Sequence, residues 1–508
     1  MSTTSVMKRK NISKACGPMN RNEEAEAGQV EIQHSGCSIV NLPSHILATI
    51  LFRLPIKKIV VCKCICKSWY AMISNPEFTK MHYAQSEVLP IARTVNSTHV
   101  SRTLYPLELE QDERSMDMFL CQQSHDYSER IRQVCMKTGS KLKIPVRNFP
   151  IDSNEAVALN PMDYRYKIVN SCNGFLCLSE PIYNKPAVVC NPVTGEFINL
   201  PQVIKGENVD GSSHDHFDCG FGFSPKTNQY KVVKILKQYS PMEKKYGNLV
   251  QVHILGTRSW KNIEFAPYSG YTFLFPTYLN GAVHWICLLV KKLILILSFD
   301  CEKECFLQLS SPPLREGSRD NVGMGVLGGC LCICDSSDPS LTCVWVMKDY
   351  GVETSWTKVF EIDVSCCDRM LYGLYQPIKY MNNGALLMFN YPRSILIYYD
   401  PRNHGLKLFG FRPIKSKFEI LAHTPSLISL KDVLAGCEVE VVNVYSRCAG
   451  LKLKGEARAI SLYLKKDLKV LSDSDCDPDY EFFLYNYIYY ESVEYWWGKY
   501  DYGFSVLA

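Results

Sequence analysis

Glycine-containing turns recur through the second half of the chain, and this repeat restricts the possible folds more than any other feature. Gly281, Gly329 and Gly384 each follow asparagine or glycine and precede an apolar segment. They lie about fifty residues apart, which is the period of propeller blades of the kelch type. Asn-Gly and Gly-Gly turns supply the positive φ that a two-residue β-hairpin requires. The sequence therefore predicts repeated sheets of four short strands.

Short strand segments between such turns extend this pattern over most of the chain. From about residue 168 onward, five units open at Cys172-Asn173-Gly174, Phe221-Gly222-Phe223, Leu279-Asn280-Gly281, Gly328-Gly329 and Asn382-Asn383-Gly384. Residues 418–430 are predicted to pair with strands within residues 92–142 and to close the ring. We therefore predict an all-β, propeller-like domain of about six four-stranded blades. A two-sheet sandwich is the alternative, but the repeated four-strand units argue against it.

Residues 41–81 have a different, helical pattern. One apolar stripe begins after Pro43 and ends before Pro55, and it consists of Ile46, Leu47, Ile50, Leu51 and Leu54. A second helix is predicted within residues 59–73, with apolar residues on one side and Lys57, Lys58, Lys63 and Lys67 toward the other. Two or three helices of this size lie near the limit, about 40 residues, below which a core rarely closes alone. The surplus apolar face is therefore predicted to bind a partner.

The ordered motifs of this segment resemble a plant F-box. They are Leu42-Pro43, Leu54-Pro55 before Lys57-Lys58, Cys64-Ile65-Cys66-Lys67-Ser68-Trp69, and Ile73-Ser74-Asn75-Pro76-Glu77-Phe78. Cys62 departs from the family pattern, which more often has phenylalanine there. The resemblance implies docking on the Skp adaptor of a cullin ubiquitin ligase, with contacts at or beside Leu42, Pro43, Leu47, Ile50, Leu54, Pro55, Ile65, Cys66 and Trp69. The alternative is a helix pair that packs only on its own domain.

The β-rich part is similar to the plant F-box-associated interaction domain. The matching phrases are CNGFLCL, NPVTGEFINLP, FGFSPKTNQYKVVKI and YLNGAVHWI, which stand in the expected order. The resemblance implies that this domain recruits a substrate protein. In relatives of the S-locus type the recognised protein is a ribonuclease, but nothing in this sequence singles out that branch.

The two resemblances predict an α+β multidomain chain. The expected domains are a disordered N-terminal extension (1–37), the F-box (38–86), the propeller-like domain (90–435) and a C-terminal extension with an acidic and tyrosine-rich tail (436–508). The chain has 508 residues, of which 46% are hydrophobic and 21% charged, as is typical of a globular protein with more than one domain.

Cysteine usage and charge limit the cellular setting and the partners. There are 23 cysteines, but the first forty residues contain no apolar signal core, so we expect reduced thiols in the cytoplasm or nucleus. Cys330, Cys332 and Cys334 alternate with apolar residues, as on a buried strand. The formal charge of +5, without a basic stripe interleaved with aromatics, argues against nucleic acid. Lys291 and Lys292 divide the most apolar stretch into halves too short to span a membrane.

Three motifs could be taken for sites, and each has a simpler explanation. Residues 323–328 match a dinucleotide fingerprint, but they lead into a strand where that motif requires a helix. A possible metal-ligand group has no standard zinc spacing and is expected in a polar loop; it comprises His214, Asp215, His216, Asp218 and Cys219. Cys366 and Cys367 lack a cationic neighbour that would stabilise a thiolate. We therefore predict no catalytic residue, no cofactor and no metal.

The predicted function is that of a non-enzymatic adaptor in a Skp-cullin-F-box (SCF) ubiquitin ligase. The F-box would bind the Skp-type adaptor and through it a cullin, while the propeller would hold an unknown target protein for ubiquitination. Target choice is expected in polar loops longer than a tight hairpin, namely residues 202–218, 238–248, 312–321 and 335–340. The tail beyond Leu430 is expected to be either a further docking element or a poorly ordered extension. The alternative function is a free-standing propeller that acts as a hydrolase or binds glycans, which requires convergent carboxylates or histidines at the ring axis.

Overall fold

The computed structural model describes residues 42–94, 103–107, 142–145, 166–180, 184–201, 217–240, 245–263, 272–288, 294–314, 321–365, 373–391, 394–409 and 418–444. Four short helices come first: α1 (Ser44–Phe52), α2 (Ile56–Cys62), α3 (Lys67–Ile73) and α4 (Pro76–Gln85). By packing, the chain divides into a unit of residues 1–47 and a unit of residues 48–508. None of the helices in the described ranges is long and apolar enough to cross a membrane.

Local sequence signals set the helix boundaries. The segment 59–73, predicted as one helix, contains parts of two, because the backbone becomes extended at Cys66 (φ −156°, ψ 166°) and α3 starts after it. Asn75 caps α4: its side chain accepts hydrogen bonds from the backbone N–H groups of Glu77 (2.8 Å) and Phe78 (3.4 Å). Pro76 occupies the first helical position, where its missing N–H has no consequence. This fourth helix lies outside the helices that apolar spacing predicts.

The strands form six sheets, each with four strands in order from the centre of a ring to its rim. Blade 1 has β4 (Lys167–Cys172), β5 (Phe175–Ser179), β6 (Pro186–Cys190) and β7 (Glu196–Asn199). Blade 2 has β8 (Phe217–Ser224), β9 (Gln229–Ser240), β10 (Lys245–Ile254) and β11 (Lys261–Ile263). Blade 3 has β12 (Thr272–Leu279), β13 (Ala282–Leu288), β14 (Ile294–Asp300) and β15 (Cys305–Leu309). Blade 4 has β16 (Val322–Leu327), β17 (Cys330–Asp338), β18 (Leu341–Met347) and β19 (Trp356–Asp363); blade 5 has β20 (Tyr375–Tyr380), β21 (Leu386–Asn390), β22 (Ile395–Asp400) and β23 (Gly405–Phe409); blade 6 has β24 (Phe418–His423), β1 (Leu89–Thr94), β2 (Thr103–Pro106) and β3 (Leu142–Lys143). A short strand, β25 (Val442–Asn443), extends the rim of blade 1. The prediction of about six four-stranded blades is confirmed.

The ring closes between the two ends of the propeller. Strand β24 pairs antiparallel with β1, from Leu89 opposite His423 to Thr94 opposite Phe418. Blade 6 therefore takes its innermost strand from the C-terminal part of the chain and its outer three from residues that follow the helices. The innermost strands of neighbouring blades contact each other around the whole circle. The predicted ring closure is confirmed, with pairing limited to residues 418–423 and with a partner strand that begins at Leu89, before the predicted segment 92–142.

Buried side chains fill the spaces between blades. Each of the six spaces contains one apolar cluster. In β17, Cys332 and Cys334 belong to the cluster shared with blade 5, whereas Leu331 and Ile333 belong to the cluster shared with blade 3. Because both faces of the strand are covered here, its first five residues, Cys330 to Cys334, form an unbroken apolar run. The predicted burial of these cysteines is confirmed, and burial raises the pKa of the Cys332 and Cys334 thiols.

The antiparallel order gives the propeller two unlike ends. Turns from the first to the second strand and from the third to the fourth leave the sheets at one end, which we name the turn face. Several are tight and have positive φ, as at Asn173-Gly174 and Asn280-Gly281. Connections from the second to the third strand, and from one blade to the next, leave the sheets at the opposite end, the loop face. Strand β1 begins at the turn face, so α4 leads into the propeller there.

Three of the four predicted loops extend into strands. Asp218 and Cys219 are buried in β8, so their expected place in a polar loop is wrong. His214, Asp215 and His216 lie outside the described residues. Residues 238–240 and 245–248 belong to β9 and β10, because the hairpin between these strands is longer than its polar sequence indicates.

The fingerprint-like residues 323–328 belong largely to β16, the innermost strand of blade 4. A Cβ atom on Gly323 would lie 2.1 Å from the carbonyl oxygen of Tyr375, and one on Gly325 would lie 2.8 Å from that of Pro377. These two glycines therefore allow the backbones of blades 4 and 5 to approach closely. Packing explains the motif without a nucleotide.

Candidate functional site

Exposed apolar side chains are concentrated on the helices. Ten large apolar side chains are exposed in the described parts of the chain, and seven belong to residues 46–81: Ile46, Ile50, Val60, Val61, Ile65, Tyr70 and Met81. The much larger propeller contributes the other three, Leu307, Tyr350 and Val352. Apolar residues exposed at such density indicate a surface for another protein.

The helices also have a small core of their own. Phe52 of α1 stacks on Phe78 of α4, with ring centroids 4.5 Å apart and planes at 18°. The Nε2 atom of His82 lies 3.1 Å from the carbonyl oxygen of Leu54 and so connects α4 to the end of α1. Leu51, Ile59 and Ile73 are fully buried. This core determines which apolar side chains remain outside.

The nine residues predicted to contact a Skp adaptor differ in exposure. Pro43, Ile50, Pro55 and Ile65 are exposed, and Leu42, Leu54 and Cys66 are half-buried. Leu47 and Trp69 are buried, with 4% and 5% of their surface exposed. Contact at any of the nine remains a prediction. For Leu47 and Trp69 we expect an indirect effect, because truncating a buried side chain first disturbs the packing of the helices.

Two strongly exposed residues are absent from that predicted set. Val61 of α2 is 63% exposed and Tyr70 of α3 is 59% exposed. Successive residues of a helix are rotated by about 100°, so the run Ile59-Val60-Val61 cannot bury all of its side chains on one side. The same argument separates Tyr70 from its buried neighbour Trp69. The rotation between successive helical residues could therefore have identified Val61 and Tyr70 as exposed from the sequence.

The helices carry a positive charge. Between residues 42 and 86 one acidic residue, Glu77, stands against six basic residues: Arg53, Lys57, Lys58, Lys63, Lys67 and Lys80. An acidic partner surface would complement this distribution and speed association.

Two groups on the helices have shifted pKa values. Hydrogen bonds lower the pKa of the Cys66 thiol; the first is with Ser68, whose Oγ lies 3.1 Å from Sγ, and the second involves the backbone of Trp69. Burial lowers the pKa of Lys63, while the carboxylates of Glu196 and Asp432 raise it. Lys63 thus lies near acidic groups of the propeller.

The strand ends beside the four loops predicted to select a target lie at one end of the propeller. Residues 202–218 and 312–321 precede the innermost strands of blades 2 and 4, and 238–248 and 335–340 stand between second and third strands, so the flanking strands end at the loop face. Within these segments, 202–216, 241–244 and 315–320 lie outside the described residues. Residues 335–340 are described throughout, and Asp335–Asp338 still belongs to β17.

Side-chain hydrogen bonds hold the segment 335–340. Ser337 donates through Oγ to Asp335 Oδ1 at 2.6 Å, and Ser340 donates through Oγ to Asp338 Oδ1 at 2.7 Å. Such short-range bonds fix the local backbone. This part of the loop face is therefore preformed.

Among the residues that the structure describes, the other candidate groups from the sequence do not assemble into a site. Within the described ranges, no three His, Cys, Asp or Glu side chains form a group that could hold a metal. Cys366 and Cys367 lie outside these ranges.

Comparison with known proteins recognises both parts of the chain. Residues 39–81 match the F-box domain, and residues 117–405, more than half of the chain, match the F-box associated beta propeller domain. Relatives from Arabidopsis thaliana include F-box protein At3g07870 (24% identical over 430 residues, 77% of this chain and 93% of the relative) and F-box protein CPR1 (23% over 442 residues, 80% and 92%).

A third similar protein is the Arabidopsis thaliana F-box/kelch-repeat protein At3g23880, 24% identical over 370 residues, 70% of this chain and 87% of the relative. Among solved structures, a chain of a nidogen/laminin complex aligns with 66% of this chain and 98% of its own length, at 10% identity and a TM-score of 0.34. A likeness at that score carries no weight.

Proposed function

This chain belongs to the family of F-box proteins with an F-box associated β-propeller domain, and from this premise we propose that it is the substrate-recognition adaptor of an SCF ubiquitin ligase. In this proposal the helices bind a Skp-type adaptor, which in turn binds a cullin. The loop face of the propeller binds a target protein, and other subunits transfer ubiquitin to lysines of that target. The chain itself has no catalytic role.

The exposed apolar side chains of the helices carry this proposal. A domain of this size that leaves residues such as Val61, Ile65 and Tyr70 in water loses the burial free energy of each, about 1.5 to 3 kcal/mol for a fully buried side chain. Docking on a partner recovers that free energy. The basic residues around them favour an acidic adaptor surface.

The separation of the two ends of the propeller also supports the proposal. The helices lead into the turn face, whereas the longer polar connections lie at the loop face. Two partners can therefore bind at the same time without competing for one surface. Holding target and ligase on one scaffold raises their effective concentration, which is the physical contribution of an adaptor.

The test is a binding measurement between the full-length chain and a purified Skp-type adaptor. Val61→Asp and Ile65→Asp place a charge where an apolar contact is expected, so each should weaken binding at least tenfold, which is about 1.4 kcal/mol or more. Leu307→Asp and Val352→Asp are matched controls, because these propeller residues are similarly exposed at 48% and 46%. The controls should bind like the parent chain, and the melting temperature should stay constant in all four variants.

Two results would contradict the proposal. Unchanged affinity in both helix variants would show that the exposed side chains are not the adaptor surface. Absence of any cullin after affinity purification of the folded parent chain from plant cells would exclude the adaptor role itself. Hydrolysis of a glycan or small substrate by the pure chain would instead support the free-standing propeller.

A further inference from the structure

The helices join the propeller through a short segment that is itself anchored. Residues 86–88 alone separate α4 from β1. Within this segment, Glu87 Oε2 lies 3.1 Å from Nζ of Lys379, near the turn-face end of β20 in blade 5. Ser86 donates through Oγ to the carbonyl oxygen of His82 at 2.8 Å, at the end of α4. A connection this short and fixed gives the helices little room to rotate.

A second element crosses the turn face below the helices. After β24 the chain continues as residues 424–434, which we name the strap, and which ends in the short helix α5 (Leu430–Val433). Leu430 and Leu434 are buried in the cluster between blades 1 and 2. Asn191 of blade 1 donates through Nδ2 to the carbonyl oxygens of Ser426 (3.0 Å) and Ile428 (2.8 Å). The strap is thus part of the propeller core.

Close packing and a half-buried carboxylate fix the strap further. A Cβ atom on Gly174 would lie 2.1 Å from Cβ of Ser426, so the strap lies directly on the first turn of blade 1. The carboxylate of Glu196 accepts hydrogen bonds from Ser429 Oγ (2.9 Å) and from the backbone N–H of Leu430 (2.8 Å). Apolar burial, backbone hydrogen bonds and a charge-assisted pair therefore act on one short segment.

The strap in turn reaches the helices at both of its ends. The side chains of Tyr83 in α4 and Thr424 at the start of the strap are hydrogen-bonded. Asp432 near its end, together with Glu196, interacts electrostatically with Lys63, which follows α2. The ion pair of Glu87 and Lys379 is a further link, to blade 5. Links to the strap, to Glu196 of blade 1 and to blade 5 together limit how far the helices can rotate.

We propose that the strap, together with Lys379, is a seat that holds helices α2 to α4 in one orientation on the turn face, with Tyr83, Lys63 and Glu87 as positioning residues. For ligase activity this inference rests on the proposed function: a fixed seat keeps the adaptor-binding surface and the loop face at a constant separation. Ubiquitin would then reach only those target lysines that lie within a limited zone.

Limited proteolysis of the full-length chain tests the seat without any ligase component. A glutamate-specific protease cuts after Glu87, and the backbone there can enter the protease's active site only when the connection between α4 and β1 detaches from the propeller. The seat variant Tyr83→Phe/Lys379→Met/Asp432→Asn removes the Tyr83 hydroxyl, the cation paired with Glu87 and one of the two carboxylates near Lys63, and it keeps the cleavage site. We expect cleavage after Glu87 to become at least fivefold faster, with an unchanged melting temperature of the propeller.

Lys226→Met is the matched control. It breaks the exposed pair of Lys226 and Glu302 (2.7 Å) between the turns of blades 2 and 3, away from the contacts with the helices. Cleavage after Glu87 should stay at the parent rate. Equal cleavage rates in parent chain and seat variant overturn the proposal. If the triple variant also lowers the propeller melting temperature, Lys379→Met alone decides, since it should still speed cleavage at least twofold.

A reconstituted ligase separates this inference from the proposed function. Self-ubiquitination of the chain needs no identified target, and mass spectrometry reports which lysines are modified. We expect a restricted set of lysines in the parent chain and a broader set in the seat variant, at equal affinity for the Skp-type adaptor. Loss of all adaptor binding in the parent chain would refute the proposed function and leave the proteolysis result standing. An identical modified set in both proteins would refute the positioning role.

Discussion

The helices and the propeller differ in the burial of their large apolar side chains. In the propeller, Trp285 is fully buried between blades 2 and 3 and donates through Nε1 to the carbonyl oxygen of Cys219 at 3.1 Å. On the helices, Val61 and Tyr70 project into solvent. A ring of six sheets can cover both faces of every blade with its neighbours, whereas four short helices enclose too little volume.

The difference indicates which part of each region is available for binding. The helices have an incomplete core, so the side chains of the helices themselves are available to a partner. The propeller strands are fully occupied with one another, so binding must come from what connects them. Predictions that perturb one region and leave the other unchanged test this division.

The largest effects are expected from Trp69 on the helices and Trp285 in the propeller, both of which are buried. Trp285→Ala should lower the free energy of unfolding of the propeller by about 3 to 5 kcal/mol, because it leaves a cavity between blades. Trp69→Ala should unfold the helices and abolish adaptor binding, while the propeller keeps its melting temperature. Hydrogen exchange resolved by region, combined with urea unfolding, distinguishes the two. Equal loss of protection in both regions for either variant would show that helices and propeller unfold as one unit.

Acid should weaken the propeller through His284. This ring is buried, with Nδ1 3.1 Å from the carbonyl oxygen of Thr277 and Nε2 2.7 Å from the hydroxyl of Tyr350. Burial lowers the pKa of His284 to about 4. Between the ordinary histidine pKa of about 6.5 and this lowered pKa, the unfolded chain binds a proton that the folded chain does not bind. The free energy of unfolding therefore decreases as the pH is lowered through this range, by up to about 3 kcal/mol.

Urea unfolding from pH 7 to pH 4.5 measures this loss. The variant His284→Gln should show a flatter dependence across the same window and a lower stability at pH 7. Superimposable pH profiles of parent and variant would remove His284 as the cause.

Glycine substitutions should have a smaller and position-dependent effect. Gly323→Ala drives a methyl group into the backbone of Tyr375, and overpacking of this kind costs about 1 to 3 kcal/mol. Gly329 has positive φ but nothing within 4 Å of an added Cβ, so Gly329→Ala should cost roughly 1 kcal/mol of backbone strain. Thermal unfolding ranks the two. A larger loss for Gly329→Ala would contradict close blade packing as the reason for the glycine at 323.

The smallest effect on stability is expected from the loop face. Exchanging residues 202–216, 241–244, 315–320 and 339–340 for those of a relative avoids all strand residues. Melting temperature and adaptor affinity should stay nearly constant, while affinity purification with mass spectrometry should report a different target. Retention of the original target after all four exchanges would direct attention to the residues beyond Leu430.

The propeller was largely predictable from sequence because its information is local. Asn280-Gly281 and Asn383-Gly384 mark hairpin turns by their φ preference, and the apolar runs between them have the length of strands. Ring closure by residues 418–423 was also predictable, since a sheet with a missing strand requires a partner. The limits of β9 and β10 were not predictable, because polar residues such as Gln238 can pair in a hairpin as well as form a loop.

The helices were harder to predict in detail. Apolar spacing indicates one face but not whether that face meets the domain's own core or a partner, so Leu47, Ile50 and Trp69 formed one set although the first and last are buried. The backbone is extended at Cys66, although no proline or glycine marks that position in the sequence, so the break between α2 and α3 was missed. The strap could not be predicted from the sequence, because its contacts involve residues as distant in sequence as Gly174 and Tyr83.

Closure of the ring by β24 also has a consequence during synthesis. The partners Thr94 and Phe418 are 324 residues apart (418 − 94), so at usual translation rates β1 waits roughly 15 to 65 seconds for its inner neighbour. The helices emerge first, and under the proposed function they can bind the adaptor throughout this interval. A ribosome that stops before Phe418 would then release a chain that binds the ligase but has no complete ring. Such a truncated product would act as a competitor of the complete protein.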